Sequence, residues 1–380
     1  MNEETLNDRT KEEWWPFFAT CAAGTELVLK DELRELRFRK VRADRGGVRF
    51  EGPWRDGFRA CLMSRIAIRI LALIQRFPAK SSDELYEGVH AIEWERWLSP
   101  HHTLSVSAIS KTSQLTHTNF IAQRTKDGIV DRLREREGAR PSVDRDNPDL
   151  AVFVHLAKDE AGVHLDLGGE SLHRRGYRTE IGEAPLKETL AAAMLRLSSW
   201  DRQSPLIDPL CGSGTIPIEA DLWTRHIAPG RWRERFGIER WASHDEREQI
   251  TFRAIRDDIR AIEQALGPDI SGTDDSSRAI DTARANARRA GARAHFSRRS
   301  LRDFQASSEP SLIIANPPYG VRIDPRDFYR ELDRALPRMQ GHQLGLLLYA
   351  PPPRELLPEP KALHPLWNGA LECRFALWDL

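Results

Sequence analysis

The sequence predicts an α/β protein whose C-terminal half is a Rossmann-like, doubly wound parallel sheet. Its 380 residues exceed the size of one ordinary domain, so we expect two or three domains. From Leu186 onward, short apolar strand segments alternate with helical patterns, as is typical of parallel strands joined by crossover helices. Residues 227–268 interrupt this alternation and are predicted to be an insertion between the first two strand–helix units. Residues 170–184 carry no apolar periodicity and are the predicted linker between the halves.

The N-terminal half has the pattern of two consecutive blocks of mixed helices and strands. The elements predicted for the first block are a strand over 16–21, a helix over 27–36, a strand over 48–50, a helix over 53–63 and a long buried strand over 66–77. Those predicted for the second block are a strand over 104–109, a helix over about 116–137 and strands over 151–157 and 163–167. We expect the first block to form a small sheet with helices on one face.

Composition excludes several classes of protein. Lysine plus arginine and aspartate plus glutamate both number 57, so a nucleic-acid partner would have to bind a local basic surface. Cys21, Cys61, Cys211 and Cys373 are widely scattered, which predicts neither a disulfide framework nor a metal site. Because no apolar run approaches the ~20 residues that span a bilayer, and the N-terminal residues are polar and acidic, we expect a cytoplasmic protein with no membrane segment, and we favour a monomer.

A glycine-rich loop follows the short apolar strand at 206–208. Its residues are Asp208, Pro209, Leu210, Cys211, Gly212, Ser213, Gly214 and Thr215. The two glycines allow positive φ and close approach of a ligand, and the loop directs backbone N–H groups of the next helix at that ligand. The loop is not a GxxxxGK[ST] phosphate loop, and Pro217 occupies the third-glycine position of a dinucleotide GxGxxG motif. Taken alone, the loop is a weak signal, and the alternative is a tight turn.

A carboxylate ends the next predicted strand, at Gly272-Thr273-Asp274-Asp275. In doubly wound sheets, an acid at this position accepts hydrogen bonds from the hydroxyl groups of a ribose. The alternative is that Asp274 is the N-cap of the helix predicted over 276–290, a role that Asp275 or Ser276 can also fill. We favour ribose binding for Asp274.

The tetrapeptide Asn316-Pro317-Pro318-Tyr319 follows the apolar strand at 311–315. Ligands bind beyond the carboxyl ends of such strands. The exocyclic amine of a base is a poor nucleophile because its lone pair is delocalised into the ring. The Asn316 side-chain oxygen and the Pro317 carbonyl can each accept one of its N–H groups and orient that lone pair, while Tyr319 offers a stacking face for a flipped base. The alternative is a rigid Pro-Pro turn that closes the strand.

Several segments resemble the family of THUMP-containing guanine-N2 RNA methyltransferases. They are FFATCAAGTELVLKDEL, RGGVRFEG, GGESLHRRGYR, APLKETLAAAML, DPLCGSGT, NPPYG and WNGALECR. The resemblance implies a ferredoxin-like domain over 15–77, a THUMP RNA-binding domain over 78–169, a linker over 170–184 and a Rossmann-like methyltransferase domain over 185–380. It also implies S-adenosylmethionine as cofactor and, as product, an N2-methylated guanosine in the helix 74 region of 23S rRNA.

The same resemblance assigns roles to individual residues. The cofactor would lie against Asp208, Cys211, Gly212, Ser213, Gly214, Thr215, Asp274 and Asp275, and its methionine end would lie under the helix start at 185–189, which contains Lys187 and Thr189. Residues 316–319 would form the catalytic loop. The family usually carries an acidic adenine contact where this chain has Ser300, so that contact is expected to be weakened or moved to Asp303. The residues end at a final strand, so we expect no second methyltransferase half and no 7-methylguanine activity.

Three basic stretches are candidates for RNA contact. The predicted helix at 116–137 carries Arg124 and Lys126, although its later arginines alternate with acids and are typical of a solvated face. The linker carries His173, Arg174, Arg175 and Arg178 around an aromatic residue and without an acid. Between Asp281 and Asp303 there are seven arginines and no acid. Other functions that the sequence leaves open are a tRNA guanine-N2 methyltransferase, a DNA adenine methyltransferase and a ribosome-assembly factor with weak cofactor affinity.

Overall fold

The computed structural model describes residues 13–178, 186–317, 325–352 and 356–380, which form two β-sheets, one in each half of the chain. The helices are α1 (Glu26–Glu35), α2 (Trp54–Met63), α3 (Ser82–His90), α4 (Thr118–Glu137), α5 (Glu188–Leu197), α6 (Thr215–Thr224), α7 (Glu246–Ala261), α8 (Ser277–Ala290) and α9 (Pro325–Ala335). The strands of the first sheet are β1 (Trp15–Thr20), β2 (Arg39–Asp44), β3 (Gly47–Gly52), β4 (Arg69–Pro78), β5 (Thr103–Lys111), β6 (Ser142–Val143), β7 (Leu150–Ala157) and β8 (Glu160–Asp166). Those of the second are β9 (Leu206–Asp208), β10 (Ile270–Asp274), β11 (His295–Arg298), β12 (Leu312–Ala315), β13 (Gln343–Leu348), β14 (Ala362–Asn368) and β15 (Leu371–Asp379).

The two N-terminal blocks share one sheet, with strand order β2-β3-β1-β4-β8-β7-β5-β6. The antiparallel pairing of β4 with β8 joins the blocks, and Leu71 lies opposite Asp166. The small sheet expected for the first block is thus part of a larger one, because local sequence patterns do not reveal a pairing between strands about ninety residues apart. The prediction of a long buried strand over 66–77 was half correct, since β4 is buried at Ile70, Leu71 and Ala72 but more exposed towards its end.

The second sheet is doubly wound, as predicted, with strand order β11-β10-β9-β12-β13-β15-β14. Strands β9 to β13 are parallel, whereas β15 is antiparallel to both of its neighbours. From β9 the chain first builds outward through β10 and β11 and then returns to add β12 on the other side. This reversal places a crevice beyond the carboxyl ends of β9, β10 and β12, where open α/β sheets bind their ligands.

The predicted insertion at 227–268 contains α7 and packs its apolar side chains on the N-terminal half. The Phe252 ring stacks on that of Phe58 of α2, with centroids 4.0 Å apart, and Phe236 contacts the edge of the same ring. Trp241 likewise meets the ring of Trp54 at 5.3 Å. The insertion therefore lies between α6 and β10 of the C-terminal half, but its apolar side chains contribute to the hydrophobic core of the N-terminal half.

The described part of the linker buries Leu172, Arg175 and Tyr177. Arg175 is 2% exposed, and its guanidinium donates to the carbonyl oxygens of Leu172 (2.8 Å) and Arg65 and lies 3.5 Å from the carboxylate of Glu219 in α6. The Tyr177 hydroxyl donates to the same carboxylate at 3.2 Å. The lack of apolar periodicity in this segment thus reflects a polar network inside the protein. In the described ranges, no helix is long and apolar enough to cross a bilayer.

Candidate active site at the carboxyl edge of the second sheet

The glycine-rich loop joins β9 to α6 with two glycines in the left-handed region. Gly212 has φ +51° and Gly214 has φ +84°. A Cβ on Gly214 would lie 2.9 Å from the ring of Phe296 and 3.0 Å from Ala283, whereas a Cβ on Gly212 would meet open space. The backbone at Gly212 is therefore open to a ligand, while Gly214 is required for packing beneath the loop.

Two contacts fix this loop from below. The Cys211 amide donates to the Thr273 carbonyl oxygen in β10 at 2.9 Å. The Asn286 side-chain amide donates to the Ser213 carbonyl oxygen at 3.0 Å from a fully buried position in α8. Sequence reasoning missed Asn286. Its signal was a polar residue on the apolar face of α8, between Ala283 and Ala287, because such a residue needs a buried hydrogen-bond partner.

Two aspartates stand at the ends of neighbouring strands. Asp208 is buried, and its carboxylate accepts the Leu210 N–H at 3.0 Å. Asp274 accepts the Gly212 N–H at 3.0 Å with one oxygen and the Ser276 N–H at 3.0 Å with the other. Burial raises the pKa of Asp208 well above its usual value, and the charge of Asp274 adds to this effect. Burial is likewise the main cause that raises the pKa of Asp274.

Ser276, not Asp274, caps α8. The Ser276 side chain accepts the Ala279 N–H at 3.3 Å, which excludes the alternative role for Asp274. Asp275 is exposed, and its backbone oxygen accepts a hydrogen bond from Arg298 at 2.8 Å. A carboxylate has about four lone-pair sites, so Asp274 can hold the loop and still accept hydrogen bonds from a ligand in the crevice.

Asn316 lies at the carboxyl end of β12, next to β9 in the sheet. Its side-chain oxygen accepts a hydrogen bond from the Tyr349 hydroxyl at 3.5 Å, and that hydroxyl in turn accepts from the Asn368 amide at 3.1 Å. The adjacent Pro317 is buried. Pro318 and Tyr319, the other residues of the predicted catalytic loop, lie outside the described residues. Neither Tyr349 nor Asn368 was predicted as a site residue.

The start of α5 lies against the glycine-rich loop through a linker arginine. Arg178 donates to the Thr215 hydroxyl at 2.5 Å and lies 3.4 Å from the buried carboxylate of Glu188. Lys187 occupies the N-cap position of α5, and Thr189 is buried in its first turn. The structure thus brings the predicted methionine-end segment next to the loop, with Thr215 held by Arg178.

Ser300 lies just beyond the end of β11, where it starts a short 3-10 turn. The neighbouring Arg299 amide donates to the backbone oxygen of Asp274 at 3.0 Å, which keeps this segment beside the crevice. Asp303, the proposed replacement for an adenine contact, is exposed and lies 3.7 Å from Arg302. Ser300 and Asp303 therefore both lie beyond the carboxyl end of β11.

A cleft of about 1560 Å³ opens beside this edge. It is lined from the second block by His102 and Asn147, from the linker by Arg174, from α5 by Lys187, from the insertion by Arg235 and Arg240, and from the β14–β15 turn by Asn368 and Gly369. Of the three basic stretches predicted to contact RNA, the linker borders this cleft, whereas α4 and the arginines between Asp281 and Asp303 do not.

The linker residues predicted to contact RNA have different environments. Arg174 is exposed at the cleft. The prediction was wrong for Arg175, because it is buried and its donors bind internal partners. Arg178 is mostly buried and is similarly engaged. His173 bonds to Ser171 at 2.7 Å, and burial together with the surrounding cations lowers its pKa to about 4, so it carries no charge at neutral pH.

The two predicted RNA contacts on α4 are paired with acids. Arg124 lies 3.1 Å from Asp83 and stacks over the ring of Tyr86 at 4.2 Å. Lys126 pairs with Asp127. Both side chains remain partly exposed, and their contact with RNA stays a prediction.

The strand order, the open glycine-rich loop after β9, the acid after β10 and the Asn-Pro pair after β12 together define a Rossmann-like methyltransferase. Residues 16–71 match the RlmL ferredoxin-like domain, residues 79–166 the THUMP domain and residues 175–351 the RMKL-like methyltransferase domain. The chain belongs to the family of RMKL-like methyltransferases that carry an N-terminal THUMP domain. This membership confirms the predicted fold class.

Individual relatives agree. The chain is 36% identical to a putative RNA methyltransferase of Synechocystis, over 84% of this chain and 85% of the relative. It is 41% identical to the ribosomal RNA large subunit methyltransferase K/L of Methylococcus capsulatus, over 96% of this chain but only 51% of that protein. The crystal structure of SMU.472, a putative methyltransferase complexed with SAH, superposes with a TM-score of 0.86 at 31% identity, and the match covers 97% of this chain and 98% of that one. The cofactor predicted from the sequence, S-adenosylmethionine, is thereby confirmed for the family. The chain spans about half the length of the K/L relatives.

Proposed function

We propose that this chain transfers a methyl group from S-adenosylmethionine to the exocyclic N2 of a guanosine in 23S rRNA, in the helix 74 region, in the cytoplasm. The observation that carries the amino-group chemistry is the placement of the Asn316 carboxamide at the end of β12, one strand from the glycine-rich loop. The relatives named as ribosomal RNA large subunit methyltransferases support the choice of rRNA.

The residues at the crevice fit the cofactor. The open backbone at Gly212 can lie against the nucleoside, and Asp274 can accept hydrogen bonds from the ribose hydroxyls. The segment with Lys187 and Thr189 would cover the methionine end. When bound, S-adenosylmethionine supplies an electrophilic methyl group on a sulfonium centre.

The chain's own contribution to the reaction is orientation. The Asn316 oxygen accepts one N–H of the target amine, and the Pro317 carbonyl oxygen accepts the other. These two acceptors turn the nitrogen lone pair towards the methyl group and stabilise the positive charge that develops on the nitrogen. Because the amine becomes acidic once it is methylated, its proton can leave to solvent afterwards, and no strong general base is required.

The cleft offers a path for the RNA strand. Arg174, Lys187 and Arg235 are among the residues that line it. Arg235 is exposed and makes no hydrogen bond or ion pair within the described ranges, so its guanidinium is available to a phosphate. The cleft is not uniformly basic, since Glu170 and Glu234 also line it. This mixture favours a strand held by a few phosphate contacts over general attraction to nucleic acid.

The test is methyl transfer from tritiated S-adenosylmethionine to undermodified 23S rRNA, followed by nucleoside analysis. We expect N2-methylguanosine, and recovery of N6-methyladenosine alone would overturn the proposal. Parallel reactions with tRNA separate the two RNA substrates, since stronger labelling of tRNA would refute the choice of rRNA. Asn316→Ala should lower the rate about 10²-fold or more, as for loss of one oriented hydrogen-bond partner, with little change in cofactor affinity by calorimetry.

A further inference from the structure

We infer that Tyr349 and Asn368 are positioning residues that set the orientation of the Asn316 carboxamide, an inference that rests on the proposed function. The three side chains form a continuous hydrogen-bonded chain. The Asn368 amide donates to the Tyr349 hydroxyl oxygen at 3.1 Å, and this hydroxyl donates to the Asn316 side-chain oxygen at 3.5 Å. We call this chain the carboxamide relay.

The topology of the second sheet brings the three residues together. Asn316 directly follows β12, Tyr349 directly follows β13, and Asn368 is the last residue of β14. Strand β14 runs parallel to β13, because β15 lies between them and is antiparallel to both. All three carboxyl ends therefore meet at one edge. Strand β12 is the direct neighbour of β13, whereas β14 lies beyond β15, so the side chains of Tyr349 and Asn368 together span the second gap.

The direction of the hydrogen bonds gives the relay its effect. A tyrosine hydroxyl has a single hydrogen to donate. The Asn368 amide acts as the donor to this hydroxyl, and the hydroxyl acts as the donor to the Asn316 oxygen. A carboxamide is almost symmetrical in shape, and in the reversed orientation Asn316 would present an N–H group to a substrate amine that is itself a donor. The relay therefore favours the orientation in which Asn316 acts as an acceptor, and the oxygen keeps a second lone pair for the substrate.

Asn368 also lines the cleft, beside the turn at Gly369 and Ala370. The relay thus runs from the cleft wall to the end of β12. In the WNGALECR segment, Asn368 therefore has a specific role, as the first donor of the carboxamide relay.

Two volume-conserving substitutions test the relay. Tyr349→Phe removes only the hydroxyl, and Asn368→Asp replaces the donor amide with a carboxylate that can only accept and would draw the tyrosine hydrogen away from Asn316. Each should lower kcat about tenfold, the size expected for one long hydrogen bond, with unchanged Kd for S-adenosylmethionine. The KM for RNA should stay unchanged in Tyr349→Phe, whereas the new charge of Asn368→Asp lies on the cleft wall and should raise it. A role in packing alone would leave kcat unchanged in both variants.

The matched control is Tyr329→Phe, which removes a hydroxyl that donates to the Ala350 carbonyl oxygen at 3.4 Å near the same edge. Its kcat should equal that of the wild type. The decisive comparison is Tyr349→Phe in an Asn316→Ala background, measured by single turnover. If Tyr349 acts through Asn316, the second substitution causes no further loss.

The outcomes separate the relay from the proposed function. An active wild type whose Tyr349→Phe and Asn368→Asp variants keep full kcat overturns the relay alone, as does a full tenfold loss in the Asn316→Ala background. A wild type that methylates no RNA overturns the proposed function and the relay with it. Should Asn368→Asp fail to fold, as judged by thermal melting, Tyr349→Phe and the double variant still decide the question.

Discussion

Replacing Arg175 by methionine should lower the free energy of unfolding, because it removes contacts between the two halves of the protein. Arg175 lies in the linker, where its guanidinium binds the Arg65 carbonyl oxygen of the N-terminal half and faces the Glu219 carboxylate of α6. Glu219 is fully buried, and its other neighbours are the Tyr177 hydroxyl at 3.2 Å and the Arg65 guanidinium at 4.0 Å. Methionine fills a similar volume but supplies neither charge nor donors.

The magnitude follows from what the substitution leaves behind. Two carbonyl oxygens lose a charged donor, and a buried carboxylate loses its nearest cation. Removal of one partner of a buried ion pair typically costs about 3–5 kcal/mol, because the remaining charge is left uncompensated. Arg65 offsets only part of this cost, because its guanidinium lies 4.0 Å from the Glu219 carboxylate, farther than that of Arg175.

The assay is unfolding in denaturant, followed by circular dichroism, for Arg175→Met and for its neighbour Arg174→Met. The Arg174 side chain is 65% exposed and only 3.8 Å from the exposed Glu170, so its replacement should change the free energy of unfolding by less than about 0.5 kcal/mol. Binding of rRNA should show the opposite order, with weaker affinity and a shallower salt dependence only for Arg174→Met. Equal effects of the two substitutions on stability would refute the reasoning.

Three further substitutions test the crevice and the cleft. Gly214→Ala should weaken cofactor binding at least about tenfold in calorimetry, because its Cβ would clash with Phe296 and strain the backbone. The control is Gly341→Ala, at φ +85° with open space around its Cβ. Burial raises the pKa of Asp274, so its carboxylate protonates as the pH falls through that raised value. Cofactor affinity should therefore drop at a higher pH than for an ordinary aspartate. A cofactor affinity of the wild type that does not change with pH would contradict the ribose contact. Since the pKa of His173 is lowered to about 4, His173→Gln should leave the salt dependence of RNA binding unchanged at both pH 6 and pH 8, and a steeper wild-type dependence at pH 6 would disprove this.

Elements with strong local signals were predictable from the sequence. The β12 strand is a continuous apolar run closed by Asn316, and α6 follows a loop whose glycines sit where positive φ is needed. The strand–helix alternation was sufficient to predict the parallel sheet and the edge at which Asp208, Asp274 and Asn316 lie. These features depend on residues close together in the chain, and the sequence carries them directly.

Features that depend on distant partners were not predictable. The linker arginines have the same local pattern as an RNA-binding stretch, but Arg175 meets Glu219, which lies 44 residues away in α6. Asn286, Tyr349 and Asn368 acquire their roles only when the sheet brings strand ends and helices together. The helical periodicity of α8 indicates that Asn286 is buried but does not reveal its partner, and the strand ends give no such signal for Tyr349 or Asn368.

The insertion at 227–268 has a consequence for any attempt to dissect the protein. A fragment that begins at residue 186 would keep the whole second sheet but would expose part of Phe236, Trp241 and Phe252, since the rings of Phe58 and Trp54 would be missing. The complementary fragment would lose the same contacts. The boundary between the domains in the sequence therefore differs from the boundary between their hydrophobic cores. A cut at the linker would yield two fragments with exposed apolar surface, prone to aggregate, instead of two stable domains.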